Sequence, residues 1–148
     1  MESKYHQGRY VPRNPDKYAG DVGNIKFRSS WERKAMIFFD TNPGIIKWGS
    51  EEIIIPYVSP VDNRVHRYFT DMVVMYRTKT GEVKRALVEI KPLAQTQPPV
   101  PPKQRNSRRY LTEVKTYAVN QAKWDAAMRW CKEHNFEWMI LTEKELGV

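Results

Sequence analysis

Apolar residues recur along this chain in two periods, and the switches between them mark the elements. The first period is helical. Trp31, Ala35, Phe38 and Phe39 fall on one side of a segment that opens at Ser29 and stops near Asn42-Pro43-Gly44. Ser29 followed by Glu32 has the spacing of a capping box. Short β-branched runs come next. Ile45-Ile46-Lys47-Trp48 predicts a short extended piece, and Ile53-Ile54-Ile55-Pro56-Tyr57 a strand whose proline places it at an edge. Turn residues at 59–63 lead to the run 68–76. A tight turn at 79–82 leads to the run 87–90. Residues 53–91 thus predict a three-stranded antiparallel meander. Helical spacing returns at Leu111, Val114, Ala118, Trp124, Met128 and Cys131, predicting a helix capped by Asn106 or Ser107 and reaching to His134. Phe136 to Leu141 predicts a last strand.

Two segments lack either period. Residues 1–26 mix Gly, Pro and basic residues with tyrosines and predict an extended arm before a core of 27–148, the whole forming one domain. Arg9, Arg13 and Lys17 in the arm suit phosphate, with tyrosines nearby to stack. The alternative is an arm whose tyrosines simply cover the core. Residues 92–107 hold five prolines, a density that predicts no regular element. Lys103, Arg105, Arg108 and Arg109 make the end of this stretch basic. It is either a loop crossing DNA backbone or a solvated connector. Gln121 and Lys123 lie mid-helix, facing either a site and its phosphate or solvent.

Composition narrows the function. The 148 residues carry a formal charge of +8, which favours a polyanionic partner such as nucleic acid. Cys131 is the single cysteine, so no internal disulfide forms and a reducing cytoplasm is the simplest home. No apolar run approaches the roughly 18 residues of a membrane span, and the first residues are unlike a signal peptide. His6, His66 and His134 are scattered, which argues against zinc. Gly-rich phosphate loops and nucleophile elbows are absent, so no small-molecule cofactor is expected.

The candidate chemistry sits on the two apolar runs. In Leu87-Val88-Glu89-Ile90-Lys91-Pro92, strand alternation puts Glu89 and Lys91 on one face and Val88 and Ile90 on the other. Asp71 is the lone acid of the preceding run. If the two strands pair, Asp71 and Glu89 meet and can hold one divalent cation through oxygen, with Lys91 beside them. The plainer alternative is a cross-strand salt bridge. Glu32 lies near the buried side of the first helix, either as a cap or as a third carboxylate.

Asp71 with Glu89-Ile90-Lys91 resembles the Pro-Asp…(Asp/Glu)-x-Lys signature of a large nuclease superfamily, with Thr70 in place of the proline. The element order resembles its restriction-endonuclease-like core, an α/β (mixed α+β) sheet in the order α-β-β-β-α-β. Arg28-Ser29-Ser30-Trp31-Glu32 is similar to the helix opening in the DNA-cutting subunit of heteromeric transposases. Blocks over the whole chain resemble the head-completion nucleases of large contractile-tailed bacteriophages. Among them are Asn14-Pro15-Asp16-Lys17-Tyr18, Trp48-Gly49-Ser50-Glu51 and Asn120-Gln121-Ala122-Lys123-Trp124.

The resemblance implies a Mg²⁺- or Mn²⁺-dependent DNA endonuclease of low sequence specificity. Asp71, Glu89, the Ile90 carbonyl and Glu32 would be its ligands and Lys91 its catalytic amine. It would cut double-stranded DNA to leave 5′-phosphate and 3′-hydroxyl ends. It would act on the filled head, near the portal and neck proteins, in the host cytoplasm or associated with the virion. The rival function is a non-catalytic adaptor that grips the portal or the DNA end on an inherited scaffold.

Overall fold

In a computed structural model, which describes residues 7–103 and 107–148, the chain folds around a four-stranded sheet with one long helix on each face. A two-residue strand β1 (Gly8–Arg9) pairs antiparallel with β2 (Lys26–Phe27) just before helix α1 (Ser30–Thr41). Strands β3 (Ile45–Ser50), β4 (Ile54–Val58), β5 (Val65–Phe69), β6 (Met72–Arg77) and β7 (Val83–Ile90) follow. Helix α2 (Arg108–His134), β8 (Glu137–Leu141) and a one-turn α3 (Glu143–Leu146) complete the chain. The central order is β3-β6-β7-β8, antiparallel except for the parallel β7–β8 pair.

The expected order of helix, three strands, helix and strand holds for α1-β3-β6-β7-α2-β8. The expected membership of the meander does not. Its first strand is β3, the stretch read only as a short extended piece. The run at 53–57 instead forms a separate hairpin, β4–β5, inserted between β3 and β6. The run 68–76 is not one strand either, because it breaks at Thr70-Asp71. At the break Thr70 N–H and hydroxyl both donate to the Ile53 carbonyl, and Glu51 N–H donates to the Asp71 carbonyl. Local β propensity could not reveal that two strands of different sheets abut there.

Burial divides by sheet face. Ala86, Val88 and Ile90 pack with Met36, Phe39 and Trp48 on the α1 side. Leu87 packs with Trp124, Ala127 and Cys131 of α2, together with Ile55, Tyr57 and Tyr68 of the hairpin. Phe38, expected to be buried, is 54% exposed, and Met36 fills its place in the core. The expected stripe of α2 also differs: Leu111 and Val114 are exposed, in the first turns, which carry no buried residue, and Met128 is exposed farther along the helix. Ser107 is the cap, accepting from Tyr110 N–H, and Asn106 lies outside the described residues. Among its described residues, the proline-rich stretch is irregular except for one 3-10 turn, Leu93–Thr96, in its proline-free part.

The described part of the arm, residues 7–26, packs onto the body. Tyr18 forms a bridge to Trp48 of edge strand β3, and Ala19 N–H donates to the Trp48 carbonyl. Tyr10 and Tyr18 pack edge-on against the Trp48 ring. The buried Asp40, at the end of α1, accepts from Tyr10 OH at 2.6 Å, Arg13 N–H at 2.7 Å and Asn14 N–H at 3.0 Å. Lys17 donates to the carbonyls of Asp40 and Asn42, closing the helix C-terminus where the dipole favours a cation. That is a structural task the sequence reading did not give it.

Candidate active site

Strand β7 delivers the acid and the amine. Its alternation puts Val88 and Ile90 against α1 and turns Glu89 to the opposite face. Glu89 is 3% exposed, and two partners account for a carboxylate at that depth. Tyr68 OH donates to Oε1 at 2.5 Å, and the Trp124 indole N–H donates to Oε2 at 3.4 Å. Tyr68 is the inward residue of β5 between exposed Arg67 and Phe69. The inserted hairpin and α2 thus each supply one hydrogen bond that aims Glu89. Lys91 Nζ lies 3.7 Å from Glu89 Oε2.

Asp71 sits where β6 begins. The β6–β7 ladder ends at Met72 opposite Val88, and the Asp71 side chain takes up the next bond: its Oδ2 accepts from Ile90 N–H at 2.7 Å. An extended residue turns its N–H and C=O to the same side, so the Ile90 carbonyl also faces the Asp71 side of β7. Burial lifts the Asp71 pKa well above the ordinary carboxylate range, and the charge of Glu89 lifts it further. The Ile90 N–H opposes them, and the two acids are close enough to share a hydrogen bond when one holds a proton.

Glu32 approaches from the first turn of α1. Ser29 Oγ accepts from Glu32 N–H, as the capping pattern predicts. The Glu32 carboxylate reaches back to Arg28 N–H at 3.3 Å rather than to Ser29. Burial raises its pKa, with Arg28 opposing and Glu89 adding to the rise. Arg28 is held by an ion pair with Glu51, whose backbone lies in the left-handed region at φ 56°. A glutamate held there costs conformational energy, and such costs gather at functional sites.

These groups line one cleft of about 390 Å³. Glu32, Asp71, Glu89 and Lys91 share it with Arg28, Glu51, Arg67 and Lys123. Lys123 is therefore the mid-helix residue facing the site, its ammonium over the rings of Tyr57 and Tyr68. Gln121 is half-buried. Arg9 is exposed on β1. Lys103, Arg108 and Arg109 lie toward the start of α2, and Arg109 pairs with Glu113 along the helix. Arg13 reaches Asp40 through its backbone. Arg105 lies outside the described residues. The sequence reading gave no site role to Arg28, Glu51, Arg67, Tyr68 or Trp124, although Arg28, Glu51 and Trp124 stand in the blocks that carry the resemblance and Tyr68 in the strand beside Asp71.

Among the described residues, no three His, Cys, Asp or Glu side chains close into a ready metal-binding cluster. Asp71 and Glu89 form a pair, and Glu32 stands near enough to affect their charge. Even so, the pair fits a hard divalent cation. Its donors are all oxygen, Glu89 is buried and Asp71 half-buried, and their repulsion is what a cation would relieve.

The family described as TnsA-like endonuclease N terminal matches residues 42–143, a span holding Asp71, Glu89 and Lys91 and beginning after Glu32. The chain belongs to this family. A relative from Enterobacteria phage T4, described as a head completion nuclease, is 38% identical over 144 residues, covering 95% of this chain and 93% of that protein. The TnsA-like match accords with the mixed sheet between two helices, the restriction-endonuclease-like arrangement. No helix among the described residues is long and apolar enough to cross a membrane.

Proposed function

We propose that this protein is a divalent-cation-dependent DNA endonuclease acting in phage head completion, and that it hydrolyses phosphodiester bonds with little sequence preference. The observation that carries the reading is the Asp71–Glu89 pair with Lys91 beside it in a cleft edged by cations. The T4 relative's description supports head completion as the setting. Double-stranded DNA is then the substrate, the portal and neck are its surroundings, and assembly takes place in the host cytoplasm or on the virion. An adaptor that only gripped DNA would gain nothing from two carboxylates held against each other.

Asp71, Glu89 and the Ile90 carbonyl would hold Mg²⁺ or Mn²⁺, with Glu32 as a further or water-mediated contact. When bound there, the cation supplies Lewis-acid activation of the phosphate. Lys91 orients the attacking water and offsets the negative charge that grows on the phosphate. Tyr68 and Trp124 keep Glu89 aimed, and Lys123 and Arg67 draw the backbone in. The cleft is edged by the cations Arg28, Arg67, Lys91 and Lys123, so phosphate contacts supply the affinity, which falls with salt.

Supercoiled plasmid incubated with the protein should be nicked and linearised in Mg²⁺ or Mn²⁺ and left intact in EDTA. A pure preparation that cuts in neither cation would end this reading. Tyr68→Phe should leave the fold intact yet weaken divalent-cation affinity about 10- to 100-fold, the usual cost of losing a partner that orients a ligand. The cation concentration giving half-maximal cutting reads this directly.

A further inference from the structure

Outside the cleft, cations are arranged on the β1–β2 ribbon in a way the fold does not need. Arg9 and Lys26 stand directly opposite each other in its antiparallel register. Like charges across a strand pair repel, so a ribbon serving only the fold gains nothing from this pairing. Both residues are exposed, and among the described residues neither has an ion pair or side-chain hydrogen bond. Phe27, between Lys26 and Arg28, points inward and is buried, so Lys26 and Arg28 both face outward.

The three cations border a hollow of about 400 Å³. Arg28 lines that hollow and the carboxylate cleft alike, so the two adjoin at this residue. Lys26 and Arg28 also border a second hollow, which carries Asp21, Glu51 and Glu52. A polyanion following the ribbon is therefore repelled by the second hollow and attracted by the first. Glu51 keeps Arg28 at the junction.

We propose that the β1–β2 face is a phosphate track. Arg9 and Lys26 bind the DNA backbone beyond the scissile bond, and Arg28 passes the strand into the cleft. The track rests on the DNA-cutting reading of that cleft, and it assigns to Lys26 and Arg28 a substrate contact that the carboxylates and Lys91 do not make. Gly8 belongs to the same construction: a Cβ there would come within 2.7 Å of the Phe27 ring, so the two strands lie close only with glycine.

The test is binding of a mixed-sequence duplex oligonucleotide to the full-length protein in EDTA, over a series of salt concentrations. Each lost phosphate contact lowers the slope of log K against log salt by about 0.9. Arg9→Gln/Lys26→Gln should therefore reduce the slope by about 1.8, and each single variant by about half of that. The comparison pair Lys79→Gln/Lys84→Gln removes the same charge at the far end of β6–β7 and should leave the slope nearly unchanged. Both doubles should melt no lower than wild type, since the first relieves a repulsion and the second replaces side chains only in the 78–82 turn and at the adjoining end of β7. Equal slope changes in the two doubles would reduce the effect to net charge and overturn the track, as would an unchanged slope in the first. Wild-type cutting with no track effect refutes this inference alone. A track effect in a protein that never cuts refutes the nuclease reading and leaves the track standing.

Discussion

Asp71→Asn is expected to abolish DNA cutting while making the cation-free protein more stable. The asparagine keeps an oxygen for Ile90 N–H but removes the charge that repels Glu89. Cutting should fall by at least about 10²–10³-fold, the scale seen when a preorganised electrostatic group is lost. Lys91→Ala should fall by a similar factor with little change in stability, because its amine is partly exposed. The stability arm has a pH signature. A carboxyl whose folded pKa is raised binds its proton more tightly in the folded state. The cation-free wild type should therefore lose stability as pH rises from the ordinary value of 3.8 through the raised one. Thermal melts across that range should show the loss in wild type and its near absence in Asp71→Asn. Mg²⁺ should restore stability to wild type only.

The second large effect lies at the other end of α1. Asp40→Ala should cost about 3–5 kcal/mol, because it strands the Tyr10 hydroxyl and two backbone N–H groups that the buried carboxylate now satisfies. Tyr10→Phe, which removes only one of these bonds, should cost about 1 kcal/mol. Burial by itself would raise the Asp40 pKa, but the Tyr10, Arg13 and Asn14 donors and Lys17 outweigh it and hold the group below its usual 3.8. A depressed folded value stabilises above that pH and is lost as pH falls through the folded value. Acid unfolding of wild type should therefore contain a step that Asp40→Asn lacks. Urea titration at pH 7 and pH 3 measures both effects.

Local chemistry made part of this architecture legible. Period-2 alternation on 87–91 assigned Glu89 and Lys91 to one face, and they do share it. The Ser29 cap and the extent of α2 followed from capping and helical spacing. Pairing was less readable. Ile53-Ile54-Ile55 and Ile45-Ile46 carry equal β propensity, and only the partner strand decides which joins the main sheet. The Thr70-Asp71 break was hidden for the same reason: Thr70 leaves the strand to reach Ile53, a contact across 17 residues. Helix α3 was overlooked although Thr142 and Glu145 have capping-box spacing, because a four-residue helix has no period to detect. The arm's cations were read by composition alone, which cannot separate Lys17, committed to helix carbonyls, from Arg9, which is exposed.

The most direct measurement is an anomalous difference map from crystals soaked in Mn²⁺. The predicted result is one strong peak bounded by the Asp71 and Glu89 carboxylates and the Ile90 carbonyl, absent from Asp71→Asn crystals. A peak elsewhere, or none in a protein that still cuts DNA in Mn²⁺, would contradict the assignment of this cleft as the catalytic centre.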